Sequence, residues 1–577
     1  MVAMVRLSGW VVAALLVASC AAPLTQEPPP PPTVPAPSPP PAPPPPVMQS
    51  QDFLSRGLAA SRNAPSARAF GGVAPMPRAP AYDPERENRE TYANTPTNPV
   101  KAVAAEPVST FSIDVDTTSY ANVRRMLNGG TLPPRDAVRV EELVNYFDYD
   151  YPAPRTRAEP FATTVAIAPS PWARGKTLLH IGLQGYDVAP AERPPLNLVL
   201  LVDVSGSMNP ENRLPLAKKA FRLLVDTLQP RDRVSIVVYA GAAGAVLEPT
   251  SGAEKPRILA ALDALQAGGS TAGGEGLALA YTLAERHFNR AAVNRVIIAT
   301  DGDFNVGVTN PSELEGFVAR KRETGVYLSV LGFGGGNYND ALMQRLAQKG
   351  NGVAAYIDTL AEARKVLHDQ AQSALLPIAD DVKIQVEFNP GRVAEYRLIG
   401  YETRALNRED FNNDRVDAGE IGAGASVTAI YELTAPGGRT LIDPLRYQSA
   451  RPAAAPSAEI AFVRIRWKPP GSATSRLIER AVTDRDAVDQ LARAPESTRF
   501  ATAVAAYGQL LRGDPYLDAG YGFDQVIDLA QGAKGADPFG WRTEFVQLAR
   551  AAKTAAALRE TPQAMAPERP VPGPRPR

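Results

Sequence analysis

Between Asn197 and about Gln370, short runs that are apolar at every position alternate with longer stretches in which apolar residues recur three and four apart. Leu198-Val199-Leu200-Leu201-Val202 is continuously apolar, as a strand buried on both faces of a parallel sheet must be. The stretch that follows puts Ala217, Ala220, Phe221, Leu224 and Leu228 on one helical stripe. The same alternation predicts strands over residues 234–239, 296–299 and 327–333, and helices over 277–287, 312–322 and 341–347. Strands alternating with helices predict an open, doubly wound α/β domain, whose ligands sit outside the carboxyl ends of the strands.

On either side the period changes to two. Segments 163–168 and 178–183 before the α/β region, and 382–388, 427–433 and 460–467 after it, alternate as antiparallel strands do. A doubly wound domain that starts on a strand and ends on a helix brings both chain ends to the edge opposite its ligands. One β-rich domain with the α/β domain inserted in it is therefore expected. From about Asp484 the period lengthens again, with Phe500, Val504, Tyr507 and Leu511 near one stripe and Phe545, Leu548 and Ala551 on another. This C-terminal segment is expected to be helical.

Polar residues gather where the α/β domain should bind. The first strand runs into Asp203-Val204-Ser205-Gly206-Ser207, a second loop reads Gly269-Ser270-Thr271-Ala272-Gly273-Gly274, and a third strand ends in Ala299-Thr300-Asp301-Gly302-Asp303. Oxygen donors without a soft ligand suit a hard divalent cation, Mg²⁺ first, with Mn²⁺ or Ca²⁺ as alternatives. In isolation, DxSxS is also a strand-to-helix turn in which Ser207 or Asn209 caps the helix.

The three loops together resemble the metal-ion-dependent adhesion site of the von Willebrand factor type A (VWA) domain. That resemblance implies a metal site of Asp203, Ser205, Ser207, Thr271 and Asp301, with Ser205 and Ser207 as direct ligands. It also implies an open coordination position for an acidic residue of a protein partner. Both flanks, around Ser109 to Tyr120, Glu141 to Phe147, Glu409 to Glu420 and Val427 to Leu433, resemble the bacterial YfbK-like family of VWA lipoproteins over roughly residues 107–555.

Composition narrows the alternatives. A length of 577 residues exceeds what one core organises, and 61 basic against 61 acidic residues give no global attraction for nucleic acid. The three histidines, His180, His287 and His368, lack the HExxH spacing of a zinc protease. Cys20 is the one cysteine, so neither an internal disulfide nor a thiolate cluster can form. It follows Arg6, an apolar run from Leu7 to Ala18, and the order Val17-Ala18-Ser19-Cys20, which resembles a lipobox. The resemblance implies a lipidated Cys20 seated in the bilayer, and Ala21 behind it implies an outer-membrane location facing the periplasm. Pro23 to Pro46 holds 15 prolines, a stiff and solvated stalk.

The expected organisation is a signal peptide over 1–19, a disordered Pro-rich linker over 20–106, an N-terminal flanking domain over 107–195 and the VWA domain over 196–371. A β-rich flanking domain over 372–480, a helical segment over 481–560 and a disordered tail over 561–577 complete it.

Two motifs in the flanks invite sharper readings. Asp114-Val115-Asp116-Thr117-Thr118 resembles the first motif of haloacid-dehalogenase-like phosphatases, but its strand is poor and no Rossmann-like domain follows, which disfavours catalysis. Asp410, Asn412 and Asp414 have the 1,3,5 spacing of a calcium loop without the glycine and glutamate that complete it; a hydrogen-bonded polar turn is the other reading. Gly334-Gly335-Gly336 lacks the spacing of a dinucleotide site. The expected function is non-catalytic: a membrane-anchored envelope protein that binds a protein partner through a divalent metal. A Mg²⁺-dependent hydrolase or phosphatase, and a structural envelope protein with a fold-stabilising metal, are the alternatives.

Overall fold

A computed structural model describes residues 90–560, apart from residues 93, 115, 157, 241, 270–272, 303–310, 337, 417 and 444–457. The signal peptide with Cys20, the stalk, Thr271 and the C-terminal tail therefore lie outside the described residues.

Four strands precede the α/β domain: β1 (Lys101–Ala102), β2 (Val108–Ser112), β3 (Phe161–Pro169) and β4 (Lys176–Gly185). The α/β domain contributes β5 (Leu196–Asp203), β6 (Arg233–Tyr239), β7 (Ala243–Ser251), β8 (Val293–Thr300), β9 (Val326–Phe333) and β10 (Ala354–Ile357). Seven follow it: β11 (Pro377–Phe388), β12 (Glu395–Ile399), β13 (Ala405–Leu406), β14 (Gly419–Gly422), β15 (Ser426–Thr434), β16 (Glu459–Lys468) and β17 (Arg476–Thr483).

The first and third groups interleave. One antiparallel sheet runs β1-β12-β15-β4-β3 and the other β13-β2-β11-β16-β17, so each sheet needs strands from both sides of the insertion. The β16 strand shows why: Ala461, Val463, Ile465 and Trp467 are buried while Arg464 and Arg466 point outward. Inward residues of the two sheets, among them Phe111, Ile384, Val386, Tyr396 and Tyr431, form one core.

The central sheet has the order β10-β9-β8-β5-β6-β7, parallel except for β7. Every residue of β5 and of β8 is buried, the polar Asn197, Asn294 and Arg295 included, and the apolar runs over 198–202 and 296–299 form the middle of each strand. Strand order reverses between β5 and β8, the position at which open α/β sheets bind ligands beyond their carboxyl ends. Ala217, Ala220, Phe221, Leu224 and Leu228 are all buried against the sheet. In the C-terminal region, Phe500, Val504, Tyr507 and Leu511 of the helix Glu496–Arg512 pack with Phe545, Leu548 and Ala552 of the helix Trp541–Glu560. Ala551 sits at the margin of that core. Among the described residues no helix is long and apolar enough to cross a membrane.

The chain docks on the fold earlier than the expected linker boundary at residue 106. Lys101 and Ala102 pair with β12, Val103 is buried, and the Asn98 side chain donates to the carbonyls of Leu398 and Gly400 at 3.2 and 2.7 Å. Farther back, the Glu90 carboxylate, 2% exposed, accepts from Arg125 at 2.8 and 2.9 Å and from the Gly336 N–H at 2.8 Å. These contacts are isolated polar anchors and one valine, so they leave no periodic trace in the sequence.

A buried ionic cluster joins the α/β domain to the helices on both sides of it. Arg124, on the helix Thr118–Asn128, donates to Asp358 at 2.8 and 2.5 Å, to Glu362 at 2.7 Å and to Glu544 at 3.1 Å. The side chains of Arg124, Asp358 and Glu362 are 2%, 4% and 1% exposed. The Tyr146 hydroxyl also donates to Glu362 at 2.7 Å, and the Lys365 ammonium stands 3.4 Å from the centroid of the Tyr146 ring. Burial holds Lys365 down to about 8.

Removing one member of such a cluster strands the others without water. Arg124→Met is therefore expected to destabilise the chain by about 3–5 kcal/mol in urea unfolding. Glu544→Gln, at a residue 38% exposed, is expected to cost no more than about 1 kcal/mol. Equal small effects from the two substitutions would contradict the role given to the cluster.

Candidate metal centre

The site is built where β5 and β8 end. Leu198 to Val202 fix β5 in the sheet, so the chain leaves the core at Asp203 with its carboxylate still buried. Asp203 Oδ1 accepts the Ser205 N–H at 2.9 Å, which folds the motif into a tight turn. The Ser205 and Ser207 hydroxyls come within 3.0 Å of each other. Neither Ser207 nor Asn209 caps the following helix, Leu214–Thr227, which begins after Arg213 without a side-chain cap. The turn-and-cap alternative is therefore not what the chain adopts.

The second loop is tied to the first through backbone. Gly268 N–H donates to Val204 O at 2.8 Å and Gly206 N–H to Gly269 O at 3.1 Å, two residues before Thr271. The helix Gly273–Arg286 starts directly after that loop. From the third loop, Thr300 Oγ1 reaches Asp203 Oδ2 at 3.4 Å and accepts the Gly302 N–H at 3.2 Å, while the Asp301 carboxylate is fully buried. Asp203, Ser205, Ser207 and Asp301 thus come together at one sheet edge, and Thr271 lies outside the described residues.

Burial pushes Asp203 up to about 6, and the negative charge of Asp301 adds to the rise against the opposing Ser205 N–H. The Tyr239 hydroxyl supports Asp203 from behind. Two buried carboxylates and two converging hydroxyls fit a hard divalent cation, which offsets the cost of keeping both acids ionised. Among the described residues no group of three or more His, Cys, Asp or Glu is placed to hold a metal ion.

Arg213 is the participant that sequence reasoning missed. Its Nη1 donates to Asp301 Oδ2 at 2.5 Å and to Ser207 O at 2.9 Å, and its Nη2 to Gly335 O at 2.9 Å. Gly334, with φ +74°, lies so close to the Arg213 side chain that a Cβ there would overlap it. The glycine run seats a guanidinium beside the site. A basic residue a few positions past DxSxS, at the start of the helix, was the available signal.

The two flank motifs have structural partners. Asp114 and Asp116 both pair with Arg404, at 2.8 and 3.3 Å. Asp116 also accepts the Ala354 N–H at 2.9 Å, and Thr118 donates to Ala354 O at 3.2 Å. The motif satisfies the edge strand β10 of the central sheet. The carboxylates of Asp410 and Asp414 have separate partners. Asp410 accepts from Asn407 in a capping box, and Asp414 pairs with Arg466 at 3.0 Å. The polar-turn reading accounts for them. His180 is buried, held down to about 3 by that burial, and bonded to the Tyr151 hydroxyl at 2.7 Å.

Since a cation at this edge must compete with Arg213 for Asp301, Arg213→Ala is expected to tighten Mn²⁺ binding roughly five- to tenfold in calorimetric titration. Unchanged or weaker binding would show that the guanidinium does not compete.

Comparison with known proteins finds three family models along the chain. The family model described as von Willebrand factor type A domain matches residues 197–389, one described as von Willebrand factor matches 86–180, and one described as Uncharacterized protein YfbK, C-terminal, matches 373–555. The chain is 48% identical over 466 residues to Uncharacterized protein YfbK of Escherichia coli (strain K12), covering 79% of this chain and 80% of that one. It is 29% identical over 206 residues to human Inter-alpha-trypsin inhibitor heavy chain H4, covering 34% of this chain and 22% of that one. Among solved structures, von Willebrand factor type A from Catenulispora acidiphila has a TM-score of 0.40 at 16% identity, covering 70% of this chain and 91% of that one. Proximal thread matrix protein 1 of the mussel byssus, in a structure described as having a zinc occupied MIDAS motif, has a TM-score of 0.27 at 23% identity, covering 33% and 46%. On the sequence match over most of both chains, this protein belongs to the YfbK family and carries a VWA domain at its centre.

Proposed function

We propose that this chain is a non-catalytic, lipid-anchored envelope protein that captures a protein partner through a divalent cation at the VWA edge. The VWA family supports a role in protein interaction. The observation that carries the finer reading is the meeting of the Ser205 and Ser207 hydroxyls, 3.0 Å apart, beside two buried carboxylates. Asp203, Ser205, Ser207, Thr271 and Asp301 would hold the ion, Mg²⁺ before Mn²⁺ or Ca²⁺. Bound there, the ion would be formally balanced by the two carboxylates, and it would supply a Lewis-acid position for a carboxylate of the partner. The chain's own contribution is rigidity: the sheet fixes Asp203 and Asp301, the Ser205 N–H orients Asp203, and Arg213 holds Asp301 until the ion arrives.

Binding is favoured over turnover by the state of the acids near the fold's seams. Asp114 and Asp116, the candidates for phosphoryl chemistry, are committed to Arg404 and to the β10 backbone. Anchoring rests on the Cys20 motif and the Pro-rich composition behind it.

Two experiments test the proposal. In pull-downs from envelope extract, the wild-type chain should capture a partner that EDTA releases and Mg²⁺ restores, while Asp203→Ala and Thr271→Ala capture none and still unfold cooperatively. Capture by Asp203→Ala equal to wild type would overturn the metal mechanism.

Separately, Cys20→Ser should move the protein out of the carbonate-washed membrane fraction. Full retention in that fraction would overturn the lipid anchor.

A further inference from the structure

A cavity of about 580 Å³ lies at the opposite edge of the central sheet, where β8 and β9 begin and meet the β-rich flank. That volume is in the range of small-molecule sites, roughly 300–1,000 Å³. Its lining contains seven carboxylates, from Asp114, Asp116, Asp148, Asp150, Asp187, Asp369 and Glu420, against one basic side chain, Arg295. Arg404 pairs with both Asp114 and Asp116, and Asp150 and Asp369 have arginine partners at 3.6 and 3.4 Å. Asp148 and Asp187 make no ion pair among the described residues, so the rim keeps an excess of negative charge.

An acidic rim alone would call for any cation. Arg295 makes the requirement more specific. It is 3% exposed, its Nη1 donates to Ser329 Oγ at 2.6 Å, and its guanidinium lies 5.5 Å from the centroid of the Tyr327 ring. Its Nε has no hydrogen-bond partner among the described residues. A buried guanidinium N–H without an acceptor is costly, and a ligand that brings one relieves that cost. Burial holds Arg295 down to about 10 against the raising effects of Tyr327 and of the cavity's Glu420 carboxylate, which leaves it charged at neutral pH with its Nε donor still unpaired.

We propose that this cavity binds an amine-bearing zwitterion, an amino acid or a peptide end of the lysine type, with its carboxylate on Arg295 and an ammonium against the Asp148 and Asp187 rim. The two charges of the ligand answer the two features of the cavity, and neither an amine nor a carboxylate alone answers both. The site is separate from the metal edge: Asp203 is the last residue of β5 at the carboxyl end of the sheet, whereas Arg295 and Tyr327 pair near the first residues of β8 and β9.

Calorimetry and thermal unfolding of the full chain with L-lysine, cadaverine and hexanoate test the proposal. L-lysine should bind at one site and raise the unfolding temperature, with cadaverine and hexanoate at least roughly tenfold weaker. Arg295→Gln should remove the preference for lysine over cadaverine. Asp187→Asn, at an exposed position that folding does not depend on, should weaken lysine and cadaverine together by roughly three- to tenfold and leave hexanoate unchanged. Asp203→Ala should leave lysine binding unchanged, which separates this site from the metal site. No saturable lysine binding, equal binding of lysine and cadaverine by wild type, or full lysine affinity in Asp187→Asn would overturn the proposal. Should Arg295→Gln fail to fold, the Asp187→Asn result decides it.

Discussion

The guanidinium of Arg124 is the point on which the three parts of the chain depend. It lies on a helix ahead of the inserted VWA domain, it is paired with Asp358 and Glu362 at the end of that domain, and it reaches Glu544 on the last helix. Charges this deeply buried are tolerated only with full pairing, since each one stranded costs several kcal/mol. The cluster therefore fixes register among segments more than two hundred residues apart in sequence. Its position is specific: the VWA domain's last strand and last helix are clamped, and its ligand-bearing loops are left at the free edge.

That arrangement explains why the flanks interleave. The VWA domain is closed at its lower edge by Asp116 and Thr118, which take both backbone groups of Ala354, and by the sandwich strands that run on from β4 and into β11. The sheet is held from below, so the loops that carry Asp203, Ser205, Ser207 and Asp301 do not have to organise themselves. They inherit their geometry from β5 and β8, whose residues are all buried. A site built from hydroxyls and two carboxylates needs such support, because it lacks the cross-linking ligands of a thiolate cluster.

Fold class was legible because its signals are periodic. The apolar runs over 198–202 in β5 and 296–299 in β8, alternation for the sandwich strands, and the stripe from Ala217 to Leu228 each reflect burial on defined faces. The meeting of the DxSxS turn with the Asp301 loop was legible through spacing and their place at strand ends. Arg213 was not, since one arginine among many basic residues has no period and its role comes from Gly334 and Gly335 more than a hundred residues away. The docking of Glu90 and Asn98 was hidden for the same reason, as each makes only aperiodic long-range polar contacts inside a stretch with linker composition. In Asp410 and Asp414 local spacing misled: capping and pairing with Arg466 consumed the carboxylates that a calcium ion would have required.

The central claim is that hydroxyl and carboxylate oxygens at the end of β5 hold a divalent cation. Mn²⁺ binding followed by electron paramagnetic resonance tests it most directly, comparing the wild-type chain with the Ser205→Ala, Ser207→Ala double substitution. The account predicts one site per chain that Mg²⁺ displaces, and loss of that site in the double variant with the fold intact by circular dichroism. Undiminished Mn²⁺ binding in the double variant would contradict it.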